Sequence, residues 1–576
     1  MLWIKALSNK VRFAAVLLVA ALLFVLAPRV ALGRGSSTPP ETSQQLSGAG
    51  VTSLRDILEA GRLADLHWPE FGSLRAPALS FYESGEFSLA WFSDARPTAQ
   101  ALAIVGLLEH AEEKGLVADD YDGPAWADRL AGFNAQGTHP EEADMIRFDV
   151  ALTVSAMRYA SDLHLGRVDP SSFGFSTERK RKQFSLSQFL RESVVNSTDV
   201  AAAFEEIEPP YEGYDRTKIA LQRYLEIEKQ DDGTPLPAPE RVVVPGDVYS
   251  GVPRLGRLLR LLGDLPPRAS IRRNGQIYNG ALVSAVKSFQ RRHGLDPDGR
   301  IGPLTLNQLN KPLRNRALQL ELTLERWRWL PQKFEEPPII VNIPEFVLRA
   351  MDENFHAALT MKVVVGMAVN WKTPVLSAEM RSIVFRPYWN VPLAIQQNEI
   401  LPELEADSEY LSKNDYEITN SRSEPVDVDP RDKDVQEKLQ SGELLVRQVP
   451  GPRNSLGLVK FEFPNPYDVY MHATPARGLF TQSSRAFSHG CIRVEQPEEL
   501  AAWVLRNNGD WTPERIHAAM NGSETFRVSL QEPVPVLIVY GTAIVLQNGE
   551  VHFFEDVYGE DAALEQRLAA RYAPAP

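Results

Sequence analysis

The chain has one cysteine in 576 residues, and it sits in the run Ser488-His489-Gly490-Cys491-Ile492-Arg493. A lone thiol makes no intramolecular disulfide, so Cys491 is either an inert buried group or a reactive one. Its small, polar neighbours favour the reactive reading. A thiol becomes a useful nucleophile when a nearby base or positive charge favours the thiolate. Two histidines are candidates for that base. His489 lies two residues away in the same tight turn, where side chains seldom meet. His472 follows a strand-like run nineteen residues upstream, and strands can bring a distant imidazole within hydrogen-bond reach. His472 is therefore the expected base, while His489 shapes the loop or contacts substrate. Gly490 lets the backbone approach closely, so the amides of Gly490 and Cys491 are expected to face a developing oxyanion. Tyr470 shares a strand face with His472 by period-two alternation and offers a hydroxyl donor.

Other chemistries have weaker support. His489, Cys491 and His472 offer at most three zinc-type ligands, with no second cysteine and no H-E-x-x-H run, so no metal or other cofactor is expected. Ser284-Ala285-Val286-Lys287 matches the S-x-x-K of penicillin-binding serine enzymes. Its S-D-N and K-T-G companions are missing, and Lys372-Thr373-Pro374 is no substitute. His110, His139 and His164 stand alone and read as structural. The net charge of −14, without a basic stripe carrying aromatics, argues against a nucleic-acid partner.

The elements that would position Cys491 lie after residue 336. Segments 339–349, 358–369, 380–385, 459–471 and 534–554 are rich in Val, Ile and aromatics and read as strands, with Gln547-Asn548-Gly549-Glu550 as a hairpin turn. Between 393 and 450 lies a charged insertion, read as largely helical or irregular. It is too long for an ordinary loop and is expected to be a subdomain or a lid. Residues 53–239 carry helical periodicity and form a scaffold, which 313–335 is expected to complete. Residues 240–312 form a compact unit. Leu255, Leu258, Leu259 and Leu262 mark one amphipathic helix, Leu282, Val286 and Phe289 a second, and Gly302-Pro303 opens a third. The expected fold is thus multidomain α+β.

At the N-terminus Lys5, Lys10 and Arg12 precede an apolar run over 13–27, followed by Ala31-Leu32-Gly33. Fifteen apolar residues fall short of the roughly 20 that span a bilayer, and suit the core of an export signal. Residues 1–33 are read as a signal peptide or uncleaved inner-membrane anchor, and 34–52 as a flexible tether.

Two resemblances add to this reading. Ala285-Val286-Lys287-Ser288-Phe289-Gln290, His293-Gly294-Leu295, and Asp298-Gly299-Arg300-Ile301-Gly302 with Thr305 resemble the three-helix peptidoglycan-binding domain of wall enzymes. His472, fifteen intervening residues and Ser488-His489-Gly490-Cys491 resemble the signature of the L,D-transpeptidases of the YkuD fold. The large YcbB-type members are more similar still, through Lys372-Thr373-Pro374-Val375, Pro387-Tyr388-Trp389-Asn390-Val391-Pro392, Tyr470-Met471-His472, Arg485-Ala486-Phe487-Ser488 and Trp511-Thr512-Pro513. Many smaller relatives carry Asn where this chain has Arg493; the YcbB-type members resemble it in having Arg.

The resemblance implies a nucleophile at Cys491, a base at His472, and a thioester acyl-enzyme made from a tetrapeptide stem of peptidoglycan. The amine of a neighbouring stem's diamino acid would then close a 3→3 cross-link. It leaves Arg493 either orienting a carboxylate or bracing the loop. It also implies a periplasmic or cell-envelope location, wall-synthesis enzymes as partners, and acylation by carbapenems. Attachment of a protein amine to the wall, hydrolysis of the acyl-enzyme, and a catalytically silent wall-binding scaffold are the alternatives.

Overall fold

The computed structural model describes residues 44–134, 140–175, 184–269 and 275–571. The expected signal over 1–33, most of the tether and His139 lie outside them. The tether was expected to run to residue 52, but a helix, Gly48–Ala60, already occupies its end. Ser47 explains the early start. Its hydroxyl accepts the Gly50 N–H at 3.0 Å and donates to Glu142 at 2.5 Å, satisfying one free helix-start donor and tying the helix to the scaffold.

The scaffold is organised around Glu142–Leu165, a helix buried on most sides. Burial of a polar side chain in such a core requires partners. Asp149 has them: Tyr82 Oη donates to it at 2.6 Å and the Trp91 N–H at 2.8 Å. The two isolated histidines that are described are structural, His110 bonding to the Gly106 carbonyl and buried His164 to that of Ile207.

Helices Val252–Leu262, Ala281–Arg292 and Pro303–Leu309 form the next unit, with Leu255, Leu259, Val286 and Phe289 in its core. Leu313–Arg328 then runs back along Glu212–Gln230. Its Glu325 accepts the Arg167 N–H at 2.6 Å from the scaffold side, while Gln319 donates to the Phe554 carbonyl at 3.0 Å on the other. One helix thus ties the scaffold to the β-rich region.

That region is built on nine strands: β1 (Ile339–Asn342), β2 (Val347–Met351), β3 (Ala357–Gly366), β4 (Leu376–Phe385), β5 (Val459–Glu462), β6 (Met471–His472), β7 (Ala486–Ser488), β8 (Ile492–Val494) and β9 (Phe526–Val539). They are ordered β7-β3-β8-β6-β5-β4-β9-β1-β2, and a further pairing of β2 with β3 closes the sheet into a barrel. Val341, Val363, Ile383, Phe461, Met471, Ile492 and Ile538 fill its interior.

Three expected strands divide. Segment 339–349 breaks at a turn where Phe346 takes φ 58°, and 459–471 breaks at the turn carrying Asp468 at φ 53°. In 534–554, β9 ends at Val539, and Ala543–Val545 pairs with Val551–Phe553 as a separate hairpin. β-Rich composition marks the segments but not the turns between them.

The insertion carries its own three-stranded sheet (Trp389–Asn390, Leu445–Gln448, Tyr416–Thr419) and helical turns. Ile395, Leu401, Leu404, Leu411, Ile418, Leu439 and Val446 form a small core of its own. It is a folded subdomain whose sheet begins at Trp389, four residues before the expected boundary.

Candidate active site

Strand β6 pairs parallel with β8, matching Met471 to Ile492 and His472 to Arg493. Met471 and Ile492 point into the barrel core. Period-two alternation therefore sends Tyr470, His472, Cys491 and Arg493 to the opposite face. Lys460, matched to His472 on β5, joins them there. The core fixes the register, because a one-residue slip would turn every one of these side chains into the barrel.

Cys491 follows Gly490, whose φ of 109° suits glycine. Both the Tyr470 hydroxyl and its amide hydrogen-bond to the thiol. Burial nevertheless pushes the thiol above its usual pKa, outweighing those bonds and the charges of Lys460 and Arg493. The resting Cys491 side chain is a neutral S–H. Burial also raises the Tyr470 hydroxyl, so it remains a donor, and Lys460 Nζ lies 4.2 Å from its ring centre.

His472 is only 5% exposed. Its burial, then the positive charge of Arg493, lowers its pKa from 6.5 to about 3. Nδ1 is 2.6 Å from the Ala473 carbonyl. A carbonyl only accepts, so Nδ1 carries the proton and the other ring nitrogen, Nε2, keeps its lone pair. The Leu456 backbone also hydrogen-bonds to this ring, and the neutral imidazole keeps one unprotonated nitrogen that can accept a proton.

His489 faces elsewhere. Its Nε2 meets Glu399 of the insertion at 2.6 Å, and its ring stands edge-on to Trp371 at 4.9 Å. Trp371 also packs against the insertion core. The insertion thereby touches the Cys491 loop through His489.

Ser488 braces the loop from within. Its hydroxyl donates to the Cys491 carbonyl at 2.6 Å and accepts the Gly490 N–H at 3.2 Å. This corrects one expectation: the Gly490 amide does not face an open site. The Nε of Arg493 is buried without a partner among the described residues.

The model of the "L,D-transpeptidase catalytic domain" (YkuD) matches residues 337–536, with Cys491 and His472 inside the match. Residues 77–221 match a "Scaffold domain" and 250–309 a "Putative peptidoglycan binding domain". Residues 337–536 are a YkuD-fold, L,D-transpeptidase-like domain. The chain is 32% identical over 247 residues to a Haemophilus influenzae protein described as "Putative L,D-transpeptidase". That alignment takes in 43% of this chain and 49% of the relative, about half its length.

Several residues of this L,D-transpeptidase-like site were not foreseen in their roles. Thr373, at 1% exposure, donates its hydroxyl proton to the Gly490 carbonyl at 2.7 Å and accepts the Gly366 N–H at 2.8 Å. Arg485 anchors the start of the loop by donating to the carbonyls of Phe346, Val363 and Gln482. Glu399 and Trp371 supply the insertion contact. The K-T-P and R-A-F-S motifs contain the first two of these residues, whereas no local pattern marks Glu399.

Proposed function

We propose that this protein is a YcbB-type L,D-transpeptidase that forms 3→3 cross-links between peptidoglycan stems. The observation that supports it is the grouping of thiol, phenol donor and neutral imidazole on one barrel face, within the matched catalytic region. Cys491 Sγ attacks the carbonyl between the diamino acid and the terminal D-alanine of a tetrapeptide, and its proton passes to His472 Nε2. The tetrahedral oxyanion accepts hydrogen bonds from the Cys491 N–H and the Tyr470 hydroxyl. Collapse breaks the C–N bond, and His472 returns the proton to the departing amine. The diamino-acid amine of a second stem then attacks the thioester. It loses a proton to His472, which goes back to sulfur as the thiol leaves. Splitting one amide exchange in two is what covalent catalysis provides, and the balance needs no further reactant.

The matches to a peptidoglycan-binding type of domain and to a scaffold domain support a cell-envelope setting, with stem peptides as donor and acceptor. Incubation with disaccharide-tetrapeptides, followed by mass spectrometry, tests the proposal. Dimers joined 3→3 should form with release of D-alanine, and none with Cys491→Ala. Free tripeptide without dimer would favour the hydrolase. Labelling of an added protein amine would favour wall attachment. Folded wild type that never forms an adduct would point to a silent scaffold.

A further inference from the structure

The Thr373 hydroxyl lies between two backbones. It accepts the Gly366 N–H and donates to the Gly490 carbonyl. The direction of both bonds is settled by chemistry, because an amide N–H only donates and a carbonyl only accepts. The Gly490 carbonyl belongs to the same planar unit as the Cys491 N–H, and in a trans peptide these two groups point in opposite directions. Holding the oxygen therefore aims the N–H.

Gly490 gives that restraint its importance. At φ 109° its backbone lies where glycine moves freely, so its peptide plane has alternatives that an L-residue would exclude. Thr373 is itself fixed. Its N–H donates to Tyr558 Oη at 3.2 Å, and that hydroxyl donates to the Gly366 carbonyl at 2.5 Å. Lys372 Nζ donates to the Tyr558 carbonyl at 2.7 Å, tying the same turn to the C-terminal segment. With the Gly490 N–H already given to Ser488, the Cys491 N–H, which meets no acceptor among the described residues, is a loop amide that can be aimed.

We infer that Thr373 is a positioning residue for the oxyanion donor: through the Gly490 carbonyl it orients the Cys491 N–H toward the tetrahedral intermediate. This rests on the acyl-transfer reading above. Thr373 is buried with its hydroxyl engaged by two backbones, so its effect should fall on the step that builds negative charge on oxygen. It should spare reactions of the thiol that build none.

The full chain as wild type, Thr373→Val and Thr373→Ser tests this through two reactions at Cys491. One is acylation by a carbapenem, which passes through an oxyanion; the other is alkylation by iodoacetamide, which does not. Thr373→Val, which fills similar space without the hydroxyl, should acylate about 10- to 100-fold more slowly and alkylate within about 3-fold of wild type. Thr373→Ser should restore acylation. Equal losses in both reactions, or unchanged acylation in Thr373→Val, overturn the inference while the acyl-transfer reading stands. A wild type that alkylates but never acylates overturns that reading and this inference with it. If Thr373→Val lacks a native near-ultraviolet circular dichroism signal, Tyr558→Phe, which loosens the same clamp, must slow acylation selectively. A non-selective loss, or none, again overturns the inference.

Discussion

His472 and Arg493 stand opposite each other across the parallel pairing of β6 with β8, so the buried imidazole faces a fixed positive charge. Burial is the larger influence on that imidazole and Arg493 the second, and both disfavour the protonated ring. Replacing Arg493 with Gln removes only the second. The His472 pKa should then rise from about 3 toward its ordinary value, so the acid limb of the acylation rate moves to higher pH. A displacement of about 1 unit is expected, one unit being worth about 1.4 kcal/mol. Acylation rates from pH 3 to 7 measure it. A limb that stays in place or moves to lower pH contradicts this account of Arg493.

The same burial predicts the behaviour of the thiol. Cys491 lies above the usual thiol range, so near neutrality only a small fraction is thiolate. Its alkylation by iodoacetamide should climb about tenfold per pH unit from 6 to 8, following the thiolate fraction. A rate independent of pH above 6 would instead require a preformed thiolate–imidazolium pair. The sign follows from burial outweighing Lys460 and Arg493, both of which favour the thiolate.

The two histidines should separate cleanly. His472→Gln removes the imidazole and should slow acylation about 10²- to 10⁴-fold, the range for a lost general base. His489→Gln should slow it only a few-fold, because that ring is engaged with Glu399 on the insertion. The Glu399–His489 pair is partly exposed, so a double-mutant cycle should give a coupling of about 0.2–1 kcal/mol. Stopped-flow acylation and urea melts of the four proteins provide both numbers. Comparable slowing by the two substitutions would return His489 to the proton relay.

Local pattern made part of this site legible and topology withheld the rest. Tyr470 and His472 share a face because alternation is a property of a single strand. Cys491 stands out because a lone thiol in a small, polar loop has little packing role. The link from Thr373 to Gly490 spans 117 residues and leaves no periodic trace. The Gly490 amide was expected to be free because Ser488 was treated as a neighbour; only the turn's geometry brings its hydroxyl to that N–H. The insertion reads as charged and irregular because its core is small and its strands have two to four residues. Strands that short hold too few residues for alternation to register.

Gly366 provides a last, purely steric prediction. The end of β3, the Trp371–Thr373 turn and the Cys491 loop converge there. A Cβ at residue 366 would lie 1.8 Å from the Trp371 carbonyl oxygen, 2.8 Å from the Thr373 nitrogen and 3.0 Å from the Gly490 Cα. All three are backbone atoms, so no side chain can swing aside. Gly→Ala elsewhere in a strand commonly gains about 0.5–1 kcal/mol from backbone entropy. Here the collision must displace the turn that carries Thr373, and overpacking of this kind costs about 1–3 kcal/mol or more. Gly366→Ala should therefore lower Tm and also slow acylation. Gly478→Ala, where a Cβ meets nothing within 4 Å, should leave both near wild type. A Gly366→Ala protein with wild-type Tm and acylation would mean that the turn yields without moving Thr373, and that Gly490 is held by something other than this contact.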